Sequence, residues 1–108
     1  SLTLVSSALA QELRKVETKS VCMINNHVYP NEQIPTVVEG KTYYGCCEMC
    51  ASRLSSDAAV RKAVDPVSGK EVDKAVAVIG GDGEGRAYYF ESETNLTQFS
   101  QVLEKGKL

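Results

Sequence analysis

Two stretches of this chain share one pattern. The first is Tyr43-Tyr44-Gly45-Cys46-Cys47-Glu48-Met49-Cys50, and the second is Tyr88-Tyr89-Phe90-Glu91-Ser92-Glu93-Thr94-Asn95. Both open on paired tyrosines and place a Glu at the same offset, but every cysteine of the first is replaced in the second. Upstream, Val21-Cys22-Met23-Ile24-Asn25 aligns with Val67-Ser68-Gly69-Lys70-Glu71 at almost the same distance from the tyrosine pair. The sequence therefore predicts two copies of one unit, with all four cysteines in the first copy.

Length and composition describe a small globular chain. Its 108 residues have room for one compact domain or two very small fused units. Hydrophobic residues make up 43% and charged residues 24%, as is typical of globular proteins. No apolar run approaches the roughly 18 residues of a membrane-spanning helix. The net charge is −2 and basic residues alternate with acidic ones, so we expect no membrane span and no nucleic-acid binding.

The first ten residues can be interpreted in two compatible ways, as a targeting signal or as part of a helix. They are small and mildly apolar, and they end in Ala8-Leu9-Ala10 before a polar stretch, which resembles the tail of a secretory signal peptide. The same region has helical periodicity, with apolar residues three or four positions apart at Leu2, Val5, Leu9, Leu13 and Val16. We therefore expect an N-terminal helix within residues 1–19, a signal-peptide remnant up to residue 10, and a protein exported to the periplasm.

Each copy predicts a β-hairpin followed by a helix. In the first copy, β-branched and aromatic residues at 36–44 flank a tight Glu39-Gly40 turn, and residues from Cys47 to about Ser55 suit a helix. In the second copy, strands at 75–79 and 86–90 flank a flexible glycine-rich loop. Ser92 is predicted to cap the final helix.

These elements define the expected fold class and domain organisation. We predict an α+β fold of two treble-clef-like units, each a small β-hairpin plus a helix, with a helix at 1–19 before them. The cysteine-bearing unit spans residues 20–64 and the degenerate unit spans residues 65–108. Because a unit of this size buries little apolar surface alone, the two units are expected to pack together around the tyrosine pairs.

The cysteines are crowded in a way that favours a ligand cluster. Three of the four fall within five residues, at Cys46, Cys47 and Cys50. If a helix begins at Cys46, its step of about 100° per residue places these thiols on one face. Cys22, in the turn before the hairpin, can fold over the start of that helix, whose partial positive charge favours thiolates. Thiolates select soft or borderline ions such as Cu(I), Zn(II), Cd(II) or Hg(II).

Other uses of the cysteines stay open. In an oxidising compartment, four cysteines could form two structural disulfides. Cys47-Glu48-Met49-Cys50 is a C-x-x-C motif at a helix start, which is typical of thiol–disulfide oxidoreductases. A hairpin, rather than the βαβ unit of those enzymes, precedes this motif. Since the sequence also lacks a hydrolytic constellation, we expect a protein that is not an enzyme.

Three more soft or borderline side chains lie near the cysteines. We expect His27 to be a solvated loop residue and Met49 to pack in the core. The sequence assigns no role to Met23.

The motifs resemble a known family. The first copy resembles the TRASH domain, which is proposed for heavy-metal sensing and trafficking. The resemblance lies in Cys22 and in the pattern Cys46-x-x-x-Cys50 after a strand that ends in Tyr-Tyr. Asp65-Pro66-Val67-Ser68-Gly69-Lys70 stands where the related YHS domain commonly has Asp-Pro-Val-Cys-Gly-Met. Tyr88-Tyr89-Phe90-Glu91-Ser92-Glu93 stands where that domain has Tyr-Tyr-Phe-Cys-Ser-Glu. The resemblance covers roughly residues 20–103.

The resemblance implies a metal site in the first copy, formed by Cys22, Cys46 and Cys50. It also implies a metal-free second copy, in which the cysteine positions hold Ser68, Glu91 and Asn95. Cys47 is an extra thiol beside the family pattern, either a fourth ligand or a spare that accepts metal during transfer. We therefore predict an exported protein that binds Cu(I) or Zn(II) for handling or transfer. The ion itself, and a metal transporter or other metal-handling protein, are the expected partners.

Overall fold

The structure is a computed structural model that describes residues 13–105. In this range short antiparallel strands alternate with two helices, so the mixed helix-and-sheet class predicted from the sequence is confirmed. The strands are β1 (Arg14–Val16), β2 (Val21–Cys22), β3 (His27–Val28), β4 (Ile34–Val38), β5 (Lys41–Gly45), β6 (Lys62–Val64), β7 (Glu71–Asp73), β8 (Val78–Gly81) and β9 (Ala87–Phe90). The helices are α1 (Glu48–Ser56) and α2 (Glu93–Lys105).

The order of elements repeats along the chain. Two antiparallel strand pairs, β2–β3 and β4–β5, precede α1. Two more antiparallel pairs, β6–β7 and β8–β9, precede α2. Each copy is therefore a short strand pair, a hairpin and a helix in the same sequence. Neither described helix has the length and apolarity that crossing a membrane demands.

The expected N-terminal helix is wrong for its last residues. Arg14–Val16 form strand β1, which pairs antiparallel with β8 and places Lys15 opposite Gly80. A Cβ added at Gly81 would lie only 3.3 Å from Val16 Cγ1, so the glycines of β8 permit this close approach. Pairing with an open strand edge overrides the helical periodicity. Thr18–Ser20 form a single turn of 3-10 helix. Residues 1–12 of the predicted helix, with the signal-peptide remnant, lie outside the described part of the chain.

The first hairpin forms as predicted. Strands β4 and β5 pair from Ile34 opposite Gly45 to Val38 opposite Lys41. The turn residues Glu39 and Gly40 have φ values of 52° and 80°. Two successive positive φ values define the tight turn whose twist matches that of the flanking strands.

The second hairpin starts later than predicted. A turn at Asp73 precedes the first strand of this hairpin. The carboxylate of Asp73 stabilises the turn by accepting a hydrogen bond of 2.9 Å from the amide of Ala75. Gly80 and Gly81 consequently belong to β8, not to the loop. The remaining turn is tied by Asp82, whose carboxylate accepts 2.9 Å hydrogen bonds from two amides, those of Glu84 and Arg86. The glycine-rich segment, predicted to be a flexible loop, is therefore a shorter turn held by hydrogen bonds to Asp82.

Residues of both copies share one core. The main cluster of buried side chains contains Val21, Met23, Tyr43, Leu54, Ile79, Ala87 and Tyr89. A second cluster joins β9 to α2 and contains Leu13, Phe90 and Leu96. Within each tyrosine pair one ring is buried and the other half-buried, as expected of strand residues whose side chains alternate in direction. This shared core holds the cysteine-bearing turn against the second copy.

Candidate metal centre

The strand-to-helix junction positions three of the cysteines. Strand β5 ends at Gly45, and Cys46 follows directly. Cys47 is the N-cap of α1 and has an extended backbone, with φ −154° and ψ 171°. Of these cysteines only Cys50 is helical. The helix begins one residue after the predicted start at Cys47, and two residues after the start at Cys46 on which the shared helical face depended. The thiols meet because the extended chain turns into the helix, not because they share a helical face.

Gly45 makes this junction compact. A Cβ added there would lie 2.8 Å from Cys50 Cβ and 3.0 Å from the backbone nitrogen of Ala51. We expect Gly45→Ala to push α1 away and to lower metal affinity about tenfold, since overpacking of this kind costs about 1–3 kcal/mol. Competition titration with a chelator measures the affinity.

Gly40→Ala is the matched control for this variant. Its φ of 80° strains any side chain, but nothing lies within 4 Å of the added Cβ. It should therefore lower the free energy of unfolding without changing metal affinity. Equal affinities in the Gly45 and Gly40 variants would contradict the steric argument.

Three thiols converge on one point. The sulfur atoms of Cys22, Cys46 and Cys50 all lie within 4.8 Å of one another. The Sγ atoms of Cys46 and Cys50 are 3.8 Å apart. Zinc–sulfur bonds of about 2.3 Å in a tetrahedral site separate the ligand sulfurs by about 3.8 Å. The donor set and its spacing therefore fit a thiophilic metal ion.

Cys22 is fully buried and receives amide hydrogen bonds. Burial by itself raises the pKa of this thiol, but three backbone N–H groups outweigh burial and lower the pKa below its ordinary value. The donors are the amides of Asn25, Ile24 and Cys46. Two of them belong to the turn after β2 and the third follows β5. The backbone thus supplies a cradle for a thiolate, a feature that the sequence analysis missed.

The neighbouring thiols hold their protons more tightly. A hydrogen bond with Cys22 raises the pKa of Cys46. Burial, followed by hydrogen bonds with Cys47 and Cys46, raises the pKa of Cys50 to about 12. A metal cation would displace these protons, so its affinity should increase with pH.

Cys47 lies beside this trio on the solvent side. Its Sγ is 3.5 Å from Cys50 Sγ, and its side chain is exposed. The amide of Cys50 lowers the pKa of Cys47 below its usual value. Of the four predicted site residues, the structure therefore brings together Cys22, Cys46 and Cys50 and leaves Cys47 at the rim.

The other soft side chains are not part of this cluster. His27 is a half-buried residue of β3, not a solvated loop residue, and its ring packs on Tyr29 with centroids 5.0 Å apart. Met23 is fully buried in the shared core. Met49 is 74% exposed, so its predicted core packing is wrong. It lies in the first turn of α1, on the side that faces water.

In the second copy a carboxylate replaces the first thiol. Asp65 is fully buried, and its Oδ1 accepts hydrogen bonds from the amides of Val67 (2.7 Å) and Ser68 (3.2 Å). Its Oδ2 accepts from the amide of Glu91 (2.7 Å) and from Asn95 Nδ2 (2.9 Å). Hydrogen bonds overcome the effect of burial and lower the pKa of Asp65. The amide donors lie two and three residues after the acceptor and directly after the hairpin, as they do around Cys22.

Asp65, not Ser68, is therefore the counterpart of Cys22. The residue four positions further on has a positive φ in both copies, Asn26 at 57° and Gly69 at 76°. The amides of those residues donate to the carbonyls of Cys22 and Asp65 at 2.7 and 2.8 Å. The alignment made from sequence is thus three residues out of register. The valine before each residue, Val21 and Val64, is the one weak signal of the correct register in the sequence.

The remaining positions of the second copy match as expected from the sequence. Asn95 is the third residue of α2, as Cys50 is of α1. Ser92 takes the place of Cys47, and its Oγ accepts a 3.2 Å hydrogen bond from the Asn95 amide, which confirms its predicted capping role. Ser68 bonds instead to the carboxylate of Glu91. At the positions where the first copy has clustered thiols, the second copy thus has side chains that hydrogen-bond to one another.

A lysine of the second copy supports the metal centre. Lys74 is only 5% exposed, and its Nζ donates to the carbonyl of Met23 at 2.7 Å and to Asn26 Oδ1 at 3.0 Å. Burial lowers its pKa to about 8, while the negative charge of Cys22 acts in the opposite direction. Lys74 therefore ties the turn that carries Cys22 to the second copy. Nothing in the local sequence distinguishes it from a surface lysine.

Comparison with protein-family models, with curated proteins and with solved structures finds no match to this chain. The class of site consequently follows from its donors. A cluster of three neighbouring thiols is a site that can bind a metal ion.

Proposed function

We propose that this chain binds a thiophilic metal ion, Cu(I) or Zn(II), and acts in heavy-metal handling or transfer. The observation that carries the proposal is the convergence of Cys22, Cys46 and Cys50 within 4.8 Å. Cys22 comes from the end of strand β2, far from the other two cysteines in the sequence, so the fold itself creates the cluster. The sulfur of Cys50 lies 3.8 Å from that of Cys46 and 3.5 Å from that of Cys47, a spacing of metal ligands rather than the roughly 2.0 Å of a disulfide bond.

The form of the site supports exchange of the ion. Three thiolates complete a trigonal set for Cu(I) or leave one position of a tetrahedral Zn(II) site open. Cys22 lies at the buried end of the cluster, whereas Cys46 is exposed. An ion can therefore enter and leave beside Cys46 without unfolding of the core.

The motifs support a place in the TRASH and YHS families. On this proposal the two copies are treble-clef-like units, the first with metal and the second held by the hydrogen bonds of Asp65. We also propose that the protein is exported to the periplasm, as residues 1–10 suggest. There it would exchange its ion with a metal transporter or other metal-handling protein, and it would bind without catalysis.

Anaerobic metal titration tests the function. Reduced protein should show four free thiols and should take up one ion per chain, measured by elemental analysis and by competition with chelators for Cu(I) and Zn(II). Co(II) should give the intense near-ultraviolet absorption of thiolate coordination. The proposal is wrong if fully reduced protein takes up neither Cu(I) nor Zn(II) stoichiometrically.

A single variant decides the role of Cys47 in binding. Because its sulfur lies outside the trio but only 3.5 Å from that of the ligand Cys50, we expect Cys47→Ser to lower metal affinity by about tenfold, at the low end of what a change in a ligand's hydrogen-bond partner costs. The same competition titration measures this. A loss of a hundredfold or more would instead identify Cys47 as the fourth ligand.

A further inference from the structure

The three-thiol site leaves Cys47 without a role, although its position is well defined. Its Sγ lies 3.5 Å from Cys50 Sγ, closer than the 3.8 Å that separates Cys46 and Cys50. Cys47 is exposed and Cys50 is half-buried behind it. A disulfide requires sulfurs about 2.0 Å apart, and residues three apart at a helix start have the spacing that permits one.

We propose that Cys47 and Cys50 form a thiol–disulfide exchange site that overlaps the metal centre, so that reaction with a small-molecule disulfide releases the bound ion. This inference rests on the proposed function, because Cys50 serves both sites. Once Cys50 is in a disulfide, only Cys22 and Cys46 of the trio remain as ligands. Two thiolates hold Zn(II), which prefers four ligands, far less tightly than three.

The reaction balances without a further reagent. The Cys47 thiolate attacks one sulfur of the disulfide R–S–S–R, which forms a mixed disulfide with Cys47 and releases one R–S⁻. The Cys50 sulfur then attacks Cys47 Sγ, and the bond to R breaks to release the second R–S⁻. In the loaded protein Cys50 is a ligand thiolate without a proton, so its bond to the ion breaks as its sulfur attacks Cys47. The one proton of the Cys47 thiol passes through solvent to one of the two released thiolates. One disulfide is reduced to a thiol and a thiolate while Cys47 and Cys50 are oxidised to one disulfide.

The second copy indicates that the fold does not need this thiol. Ser92 holds the equivalent position, and its hydroxyl caps α2 by accepting from the Asn95 amide. Serine is also among the preferred N-cap residues. The cysteine at this position of the first copy therefore adds chemistry at a place where serine would serve the helix better.

The experiment uses the full chain in two stages. The first stage loads reduced protein with Zn(II) and measures stoichiometry, and failure to load would contradict the proposed function. The second stage adds oxidised glutathione under anaerobic conditions and follows zinc release with a chromogenic chelator. We expect two protein thiols to be lost for each zinc ion released. N-ethylmaleimide added in denaturant before digestion should then label Cys22 and Cys46 and leave Cys47 and Cys50 disulfide-linked.

Two variants provide the controls. Cys47→Ser should still load zinc but should release it at least tenfold more slowly with oxidised glutathione. Met49→Leu changes an exposed neighbour between the two cysteines and should release zinc at the wild-type rate. Release from Cys47→Ser at the wild-type rate, or a mapped disulfide that excludes Cys47, would overturn the inference. Mapping of the metal-free oxidised protein tests the Cys47–Cys50 pairing even if zinc does not load.

Discussion

Replacement of both Cys46 and Cys50 by serine is expected to abolish stoichiometric metal binding. Two of the three converging sulfurs are lost, and neutral hydroxyls are poor ligands for soft ions. Because thiolate coordination provides most of the binding free energy in such sites, we expect affinity to fall by at least about a thousandfold. Chelator competition and the loss of Co(II)–thiolate absorption measure the change.

The same variant should keep much of its second half folded. The carboxylate of Asp65 holds the second copy together, and α2 packs on β9 through Phe90 and Phe99, whose ring centroids are 5.8 Å apart. These contacts require no metal. Tyrosine and phenylalanine resonances of the second copy should therefore stay dispersed in an NMR spectrum. Undiminished stoichiometric binding by the double variant would contradict the site assignment.

The largest effect on stability is expected from Asp65→Ala. Four donors would lose their acceptor, among them the amides of Val67 and Glu91 at 2.7 Å. Removal of a buried, hydrogen-bonded charge in this way costs about 3–5 kcal/mol. A domain of this size has a free energy of unfolding of only about 5–10 kcal/mol, so the variant should be close to unfolding at 37 °C. Urea denaturation of the metal-free protein measures the loss.

Glu93→Ala is the control for this experiment. Glu93 is also acidic and is the first residue of α2, but both partners of its ion pair with Lys15 are exposed, so its removal should change stability little. Equal free energies of unfolding for Asp65→Ala and Glu93→Ala would contradict the proposed stabilising role of the Asp65 carboxylate.

Acid dependence provides a second readout for Asp65. Its pKa is lower in the folded protein than its ordinary value of 3.8. The stabilisation is therefore complete above that value and is lost as the pH falls through the lowered folded pKa. Asp65→Asn keeps the shape without the charge, so this part of the acid unfolding should disappear in the variant.

The two copies show how one scaffold is completed in different ways. In the first copy amide groups converge on the sulfur of Cys22, which can share a metal ion with two more thiols. In the second copy the corresponding amides converge on the carboxylate of Asp65, which needs no cation because Asn95 supplies the remaining donor. Lys74 joins the copies at the turn of Cys22, so the metal centre depends on the second copy for its support.

Local features of this protein could be predicted from the sequence. The Glu39-Gly40 turn, the cap at Ser92 and the helices after each tyrosine pair depend on residues close to one another in the chain. Crowded cysteines likewise indicated a ligand cluster, since residue type alone limits the chemistry of a thiol. These predictions needed no knowledge of distant contacts.

Only the tertiary structure decided what distant segments do to one another. Residues 14–16 have helical periodicity, yet they form a strand because the glycine edge of β8 offers hydrogen bonds. Lys74 is buried because the turn of Cys22 folds over it. Cys22 and Asp65 are equivalent because backbone amides donate to both side chains at corresponding positions. The residue types along the chain do not predict where these amides point. Local propensity determines turns and caps, whereas partners far apart in the chain determine edges, burial and the direction of backbone hydrogen bonds.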